Sequence, residues 1–252
     1  MLALLFGRRH AASLVGGSAA VLGAVPAGIA AAGCLATGRE ESLVRPWALP
    51  LGSLALGMDG LSAFFALAIA VICGLAAVYG VEYLRRDAGR RFLGVSWCLF
   101  NLLAAGMLAV VLARDGLLFL LAWETMSLAA FGLVMYEGEQ AAVRQAGWIF
   151  LVAAHAGAAL LAVMFLLLSG PGTALGFAAF ARPAPLVADA CFILALLGFG
   201  SKAGFVPLHV WLPEAHPAAP SHVSAVMSGV MIKTGIYGLL RTLTLLGPPP
   251  AW

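Results

Sequence analysis

The sequence has little charge, no paired cysteines and few carboxylates inside its apolar stretches. Charged residues make up 10% of its 252 positions, against roughly 25% in an ordinary soluble domain. That is too little polar surface for a water-soluble fold. The net charge is only +3, and the basic residues form no stripe or patch of the kind that binds nucleic acid. Cys34, Cys73, Cys98 and Cys191 lie far apart, with no C-x-x-C spacing. Zinc and iron–sulfur sites need clustered thiolates. No metal or other cofactor is therefore expected on this chain, and the thiols read as small apolar core groups. Any electron carriers belong to another chain.

What is present is apolar residue, 63% of the total, in long runs. These are Ala11–Thr37, Leu61–Leu84, Phe92–Leu112, Leu117–Tyr136 and Ala146–Leu168, a sixth starting near Leu186, and a seventh from near Ser221 to near Leu246. Each is about 20 residues or more, the length that crosses roughly 30 Å of hydrocarbon as a helix. No run alternates in the manner of a barrel strand. The first is too long for a signal-peptide core, although Ala31, Ala32 and Gly33 before Cys34 resemble a cleavage site. The fold class is all-α: a polytopic transmembrane bundle of about seven helices, forming one membrane domain over residues 1–252. Gly38–Gly60 and Ser169–Pro185 read as loops, and Pro248, Pro249 and Pro250 stop the last helix.

Arg85, Arg86, Arg90 and Arg91 follow the second run and form the densest basic cluster. Positively charged loops stay in the cytoplasm. A multi-pass protein of the cell inner membrane with a cytoplasmic N-terminus follows. Arg8, Arg9 and Arg144 then lie inside, and Arg39, Arg45, Arg114 and Arg182 outside.

Glu124, His155, Lys202, His222 and Lys233 lie within the apolar runs, and such residues are functional candidates at membrane depth. Glu124 interrupts the fourth. Lys202 lies in the sixth, five positions before Pro207. The proline removes a helical donor, so a broken helix is expected between Lys202 and Pro207. Unpaired backbone at that depth needs protein or a hydrated cavity around it, and transporters build ion sites this way. Glu124 is the natural partner of Lys202, either in a pair that separates as the amine cycles its proton or in a static helix tie. His222, Val226, Gly229, Lys233 and Tyr237 share one helical stripe. It is read either as a hydrated path or as small-residue packing. His222 and Lys233 stand roughly 16 Å apart along it. His155 is alone in the fifth run, as a relay member or a hydrogen-bonded core residue. His209, Glu214 and His216 lie beyond the break, and Trp211 reads as an interfacial anchor.

The segment SKAGFVPLHVWLPEAHPAAPSHVSAVMSGVMIKTGIYGLLR, with MDGLSAFF and the WE of LAWETMS, resembles a known family. These are the antiporter-like, proton-translocating membrane subunits of complex I, of Mrp-type antiporters and of formate-hydrogenlyase-type hydrogenases. The run from His216 to Arg241 is most similar to the hydrogenase-4 branch, in its B-type membrane subunit. The resemblance implies proton transfer through a glutamate and a lysine on a broken helix, at the positions of Glu124 and Lys202. A further lysine on the next helix stands at Lys233. It also implies a non-redox subunit that meets other membrane and redox subunits, the lipid bilayer and protons, with no nucleic acid. Such proteins carry two inverted five-helix repeats. This sequence matches the first and stops soon after Lys233, so a half-channel is expected. A stand-alone cation/proton antiporter and a purely structural membrane anchor are the competing expectations.

Overall fold

The computed structural model describes residues 2–47, 52–170 and 175–247. The three terminal prolines expected to end the last helix, Pro248–Pro250, lie outside the described residues. Six continuous helices cross the bundle: α1 (His10–Thr37), α2 (Gly60–Tyr83), α3 (Leu93–Leu112), α4 (Gly116–Val134), α5 (Ala141–Ser169) and α6 (Pro185–Ala203). After a short surface helix α7 (Leu212–Ala218), a seventh crossing is built from α8 (Ser221–Val226), a π-helical turn (Met227–Met231) and α9 (Ile232–Leu246). Among the described residues, seven segments are thus long and apolar enough to span a membrane. They lie within a few residues of the runs read from hydropathy.

Local chemistry sets several ends. Asp59 and Asp115 occupy the N-caps of α2 and α4. Their carboxylates accept from the Ser62 amide (2.9 Å) and from the Leu117 and Leu118 amides (2.9 and 3.2 Å), satisfying donors that a helix start leaves free. Side chains then sort by solvent. Leu22, Ile29, Phe64, Leu75, Val152 and Leu186 point outward, while Trp97, Trp123, Phe199 and Tyr237 fill the interior. An outward apolar belt is stable only against hydrocarbon.

Where the hydrophobic effect does not press helices together, close approach does. A Cβ on Gly235 of α9 would lie 2.6 Å from the Phe199 carbonyl oxygen and 2.9 Å from the Ala203 amide nitrogen of α6. Both are backbone atoms and cannot swing aside. Gly235→Val is therefore expected to lower the midpoint of thermal unfolding in detergent, by a loss of about 1–3 kcal/mol. An unchanged midpoint would mean that this crossing does not need its glycine.

One expected loop is not irregular. Within residues 38–60, Glu41–Arg45 (β1) and Leu54–Met58 (β2) pair antiparallel, with Glu41 opposite Met58 and Arg45 opposite Leu54. The ribbon continues onto the α3–α4 turn, where the Arg114 amide donates to the Ala55 carbonyl at 2.8 Å, and the Phe177 amide donates to the Arg114 carbonyl at 2.9 Å. These contacts cap one end of the bundle. The arginine-rich turns after α2 lie at the other.

Candidate functional site

The break in the sixth crossing is present, and glycine makes it. Helix α6 stops at Ala203. Gly204 takes a left-handed conformation (φ 79°), and its amide turns back to the Gly200 and Ser201 carbonyls, the usual way to close a helix end. Pro207 comes three residues later, in the connection to α7, so it prevents the helix from resuming and does not itself end it. The released Ser201 carbonyl also accepts from the Trp211 indole at 2.8 Å. Trp211 is 2% exposed and packs edge-on against Phe150, with ring centres 5.1 Å apart. It is a helix-end cap inside the protein, and the expected interfacial anchor is not found. A tryptophan finds this place because its bulk fills the gap left by the break while its single N–H meets an orphan acceptor.

Lys202 occupies the last turn of α6 and is 4% exposed. Its Nζ donates to Ser127 Oγ on α4 at 2.8 Å. It also lies over the faces of Phe150 (5.0 Å) and Trp123 (5.6 Å), an arrangement that favours a cation electrostatically. Ala153, Ala154, Gly157, Gly198 and Ser201 complete the wall of a cavity of about 10 Å³, roughly the space one water centre occupies.

Glu124 does not touch Lys202, contrary to the pairing expected from sequence. It lies one helical turn before Ser127 on α4. Its Oε2 meets His155 Nε2 of α5 at 3.4 Å, and it reaches Lys202 only through space. The reason is geometric: the aromatic faces of Trp123 and Phe150 occupy the flanks of the amine, and the nearest polar group on α4 is the Ser127 hydroxyl. His155 Nδ1 is 3.0 Å from the Leu151 carbonyl. A carbonyl only accepts, so Nδ1 carries a proton. Its Nε2 faces the Glu124 carboxylate. The lone histidine of the fifth run thus has a carboxylate partner. Its side chain is 50% exposed, on the outer surface of the bundle.

The stripe His222–Lys233 is not continuous. The π turn inserts an extra residue between them, which rotates the helix beyond it. His222 is buried, enclosed by Tyr83, Trp97 and Phe100 with ring centres 5.6 to 6.0 Å away. Lys233 is exposed, and its Nζ donates to the Ser228 carbonyl inside the π turn. On α7, His216 lies 3.1 Å from Ser224 Oγ. Burial, and then the charge of Lys233, push its imidazole below its usual range.

A second polar cluster went unassigned in the sequence. Arg241 of α9 grips the Asp59 carboxylate with two bonds, of 2.7 and 2.8 Å, and Arg114 approaches it at 3.2 Å. Ser62 and Tyr237 hydroxyls both donate to the Val111 carbonyl, at 2.6 and 2.8 Å, and each also accepts from Arg241. The sequence signal was an aspartate and arginines flanking apolar runs at the same end. Asp59 and Arg241 are 182 positions apart, and nothing local links them.

A bundle of seven membrane-length helices with a buried lysine beside a broken helix defines an antiporter-like, multi-pass membrane protein. The family model described as NADH:quinone oxidoreductase/Mrp antiporter, transmembrane, matches residues 113–251, and the chain belongs to that family. It is 39% identical over 219 residues to hydrogenase-4 component B of Escherichia coli (strain K12), a match covering 84% of this chain and 32% of that protein. In structure it resembles a chain of the Mrp complex from Dietzia sp. DQ12-45-1b, with a TM-score of 0.81 at 27% identity over 96% of this chain and 27% of that one. It also resembles a chain of the membrane-bound sulfane sulfur reductase, an archaeal respiratory membrane complex, with a TM-score of 0.73 at 27% identity over 94% and 40%. The chain spans about a third of the length of the curated relatives it matches.

Proposed function

We propose that this chain supplies a proton half-channel, as the first-repeat portion of a proton-translocating membrane subunit in a hydrogenase-4- or NADH:quinone-oxidoreductase-like complex. Redox subunits of that complex would carry the electrons, and this chain would contribute no redox chemistry of its own. The observation that carries the reading is the setting of Lys202: a buried amine at a helix break, held by one hydroxyl and two ring faces, with no carboxylate in contact among the described residues. A static tie would put a carboxylate on the amine. A hydroxyl instead serves both protonation states, since Ser127 accepts from an ammonium and can donate to a neutral amine. Lys202 then takes up and releases a proton without losing its partner.

Glu124 modulates this amine by its charge, and His155 holds the proton that sets that charge. When the shared proton is on His155, Glu124 is anionic and favours an ammonium at Lys202. When the proton sits on Glu124 with His155 neutral, that support is withdrawn. Lys233, on the exposed face of α9, connects Lys202 to a neighbouring path. His222 has an aromatic cage in place of polar neighbours, so the path reads best without it. The arginine-rich end belongs in the cytoplasm of a cell whose inner membrane holds the protein, with the N-terminus on that side.

Glu124→Gln tests the coupling. It keeps the shape and removes the charge. In the assembled complex, protons moved per redox turnover are expected to fall, because the carboxylate charge that supports an ammonium at Lys202 is gone. Turnover with the gradient collapsed should change much less. An unaltered proton ratio would remove Glu124 from the mechanism.

A further inference from the structure

The arginine-rich end holds a site that the proton path does not use. Two separate chain segments meet there, residues 7–9 and 85–92. The Gly89 amide donates to the Arg8 carbonyl at 2.8 Å, and the Gly94 amide donates to the Gly7 carbonyl at 2.9 Å. These bonds bring Arg8, Arg9, Arg85, Arg86 and Arg90 to one corner of the bundle. Some of this charge is already spoken for. Arg85 pairs with Glu82, and Arg86 donates to the Tyr83 hydroxyl. Among the described residues, Arg9 and Arg90 have no carboxylate within salt-bridge distance. Arg8 has only the ring of Phe92, with its guanidinium carbon 4.2 Å from the ring centre.

The apolar groups beside these arginines are exposed too. A single 3-10 helix, Leu2–Phe6, precedes the basic pair. In it Leu5 is 80% exposed, and Phe92, across the corner, is 57% exposed. Helices α1 and α3 begin at His10 and Leu93, so the arginines sit where hydrocarbon gives way to headgroups, and Leu5 and Phe92 sit at the level of the first acyl carbons. Free guanidinium groups above exposed aliphatic and aromatic groups match an amphiphile with an anionic head. An acidic loop of another protein would match the charge alone and make no use of the apolar groups beside it.

We propose that this corner is a binding site for an anionic phospholipid, its phosphate held by Arg8, Arg9 and Arg90 and its acyl chains lying against Leu5 and Phe92. The inference is independent of the proton-path reading, since none of these residues belongs to that path.

The test is native mass spectrometry of the full chain in detergent after incubation with phosphatidylglycerol or phosphatidylcholine. The chain is expected to retain phosphatidylglycerol in preference to phosphatidylcholine. Each basic residue at a membrane surface contributes about a fivefold factor, so the triple variant Arg8→Gln/Arg9→Gln/Arg90→Gln should bind on the order of 100-fold more weakly. Circular dichroism will show whether the variant keeps its helices. The control Arg39→Gln/Arg45→Gln, at the opposite end, should bind like the unaltered chain. Equal retention by the triple variant, or equal retention of phosphatidylcholine, overturns the proposal. So does displacement of the lipid by inorganic phosphate alone, which would mark a plain anion site. Retention of no phospholipid at all overturns it as well, and leaves the corner to an acidic protein segment.

Discussion

Lys202→Ala is expected to abolish proton translocation in an assembled complex containing this chain, while redox turnover without a gradient falls much less. The variant deletes the titratable amine at the helix break and leaves Ser127 Oγ without its donor. Removing a positioned proton-transfer group costs typically about 10²–10⁴-fold in rate, and at the upper end of that range no pumping would be measurable. Lys202→Arg discriminates more sharply. A guanidinium keeps its proton at any physiological pH, so the arginine variant retains the positive charge that a static tie would need and lacks the cycle that a carrier needs. Proton uptake by inverted vesicles, normalised to turnover, reads both. If the arginine variant pumps at the unaltered ratio, protonation of residue 202 is not the carrying step, and Lys202 is a structural cation packed between Trp123 and Phe150.

Asp59→Ala should produce the largest loss of stability among single changes at the opposite end of the bundle. It leaves two guanidinium groups, those of Arg241 and Arg114, facing each other with no anion between them. The Arg241 side chain is only 10% exposed, so water replaces the carboxylate poorly. Breaking a buried pair from one side costs about 3–5 kcal/mol, and the α2 N-cap, worth about 1 kcal/mol more, is lost at the same time. Unfolding in a graded detergent mixture measures the change. Adding Arg241→Gln to Asp59→Ala is expected to recover part of it by removing one stranded charge. If the double variant is no more stable than Asp59→Ala alone, the cost lies in the cap. The pH dependence has a definite sign. Burial alone would raise the Asp59 pKa, but the Arg241 fork, the Ser62 amide and Arg114 outweigh it and hold the carboxyl well below its ordinary value of 3.8. The contribution is therefore complete above about pH 4 and is lost only as the pH falls further, through the folded value. Across neutral pH the cluster is constant, which suits a fixed anchor for α9.

Much of this protein was legible in one dimension. Membrane helices satisfy their own backbone bonds, so length and apolarity alone find them, and the seven crossings fall where the runs lie. The break near Lys202 was legible because Pro207 has a local, covalent cause. The identity of the turn residue was not: Pro207 pointed to the right segment, and the left-handed Gly204 closes the helix. Hydropathy also passed over the β1–β2 ribbon, because two five-residue strands in a polar connection leave no periodic signal long enough to read.

The partners of the buried charges were decided by the tertiary structure alone. Glu124 and Lys202 sit on helices whose side chains meet at Ser127, but rotation of each helix about its axis determines what their side chains meet, and rotation is set by packing. Close approach at Gly157 and Gly198 and the aromatic walls of Trp123 and Phe150 turn Lys202 toward Ser127, and Glu124 meets His155 instead. The π turn does the same to Lys233, since one inserted residue moves it off the His222 face. Asp59 and Arg241 meet only because α2 and α9 pack at one end. The sequence by itself determined which residues are costly in a membrane; the tertiary structure decided what each is paired with, because a pairing over that many positions depends on the whole fold.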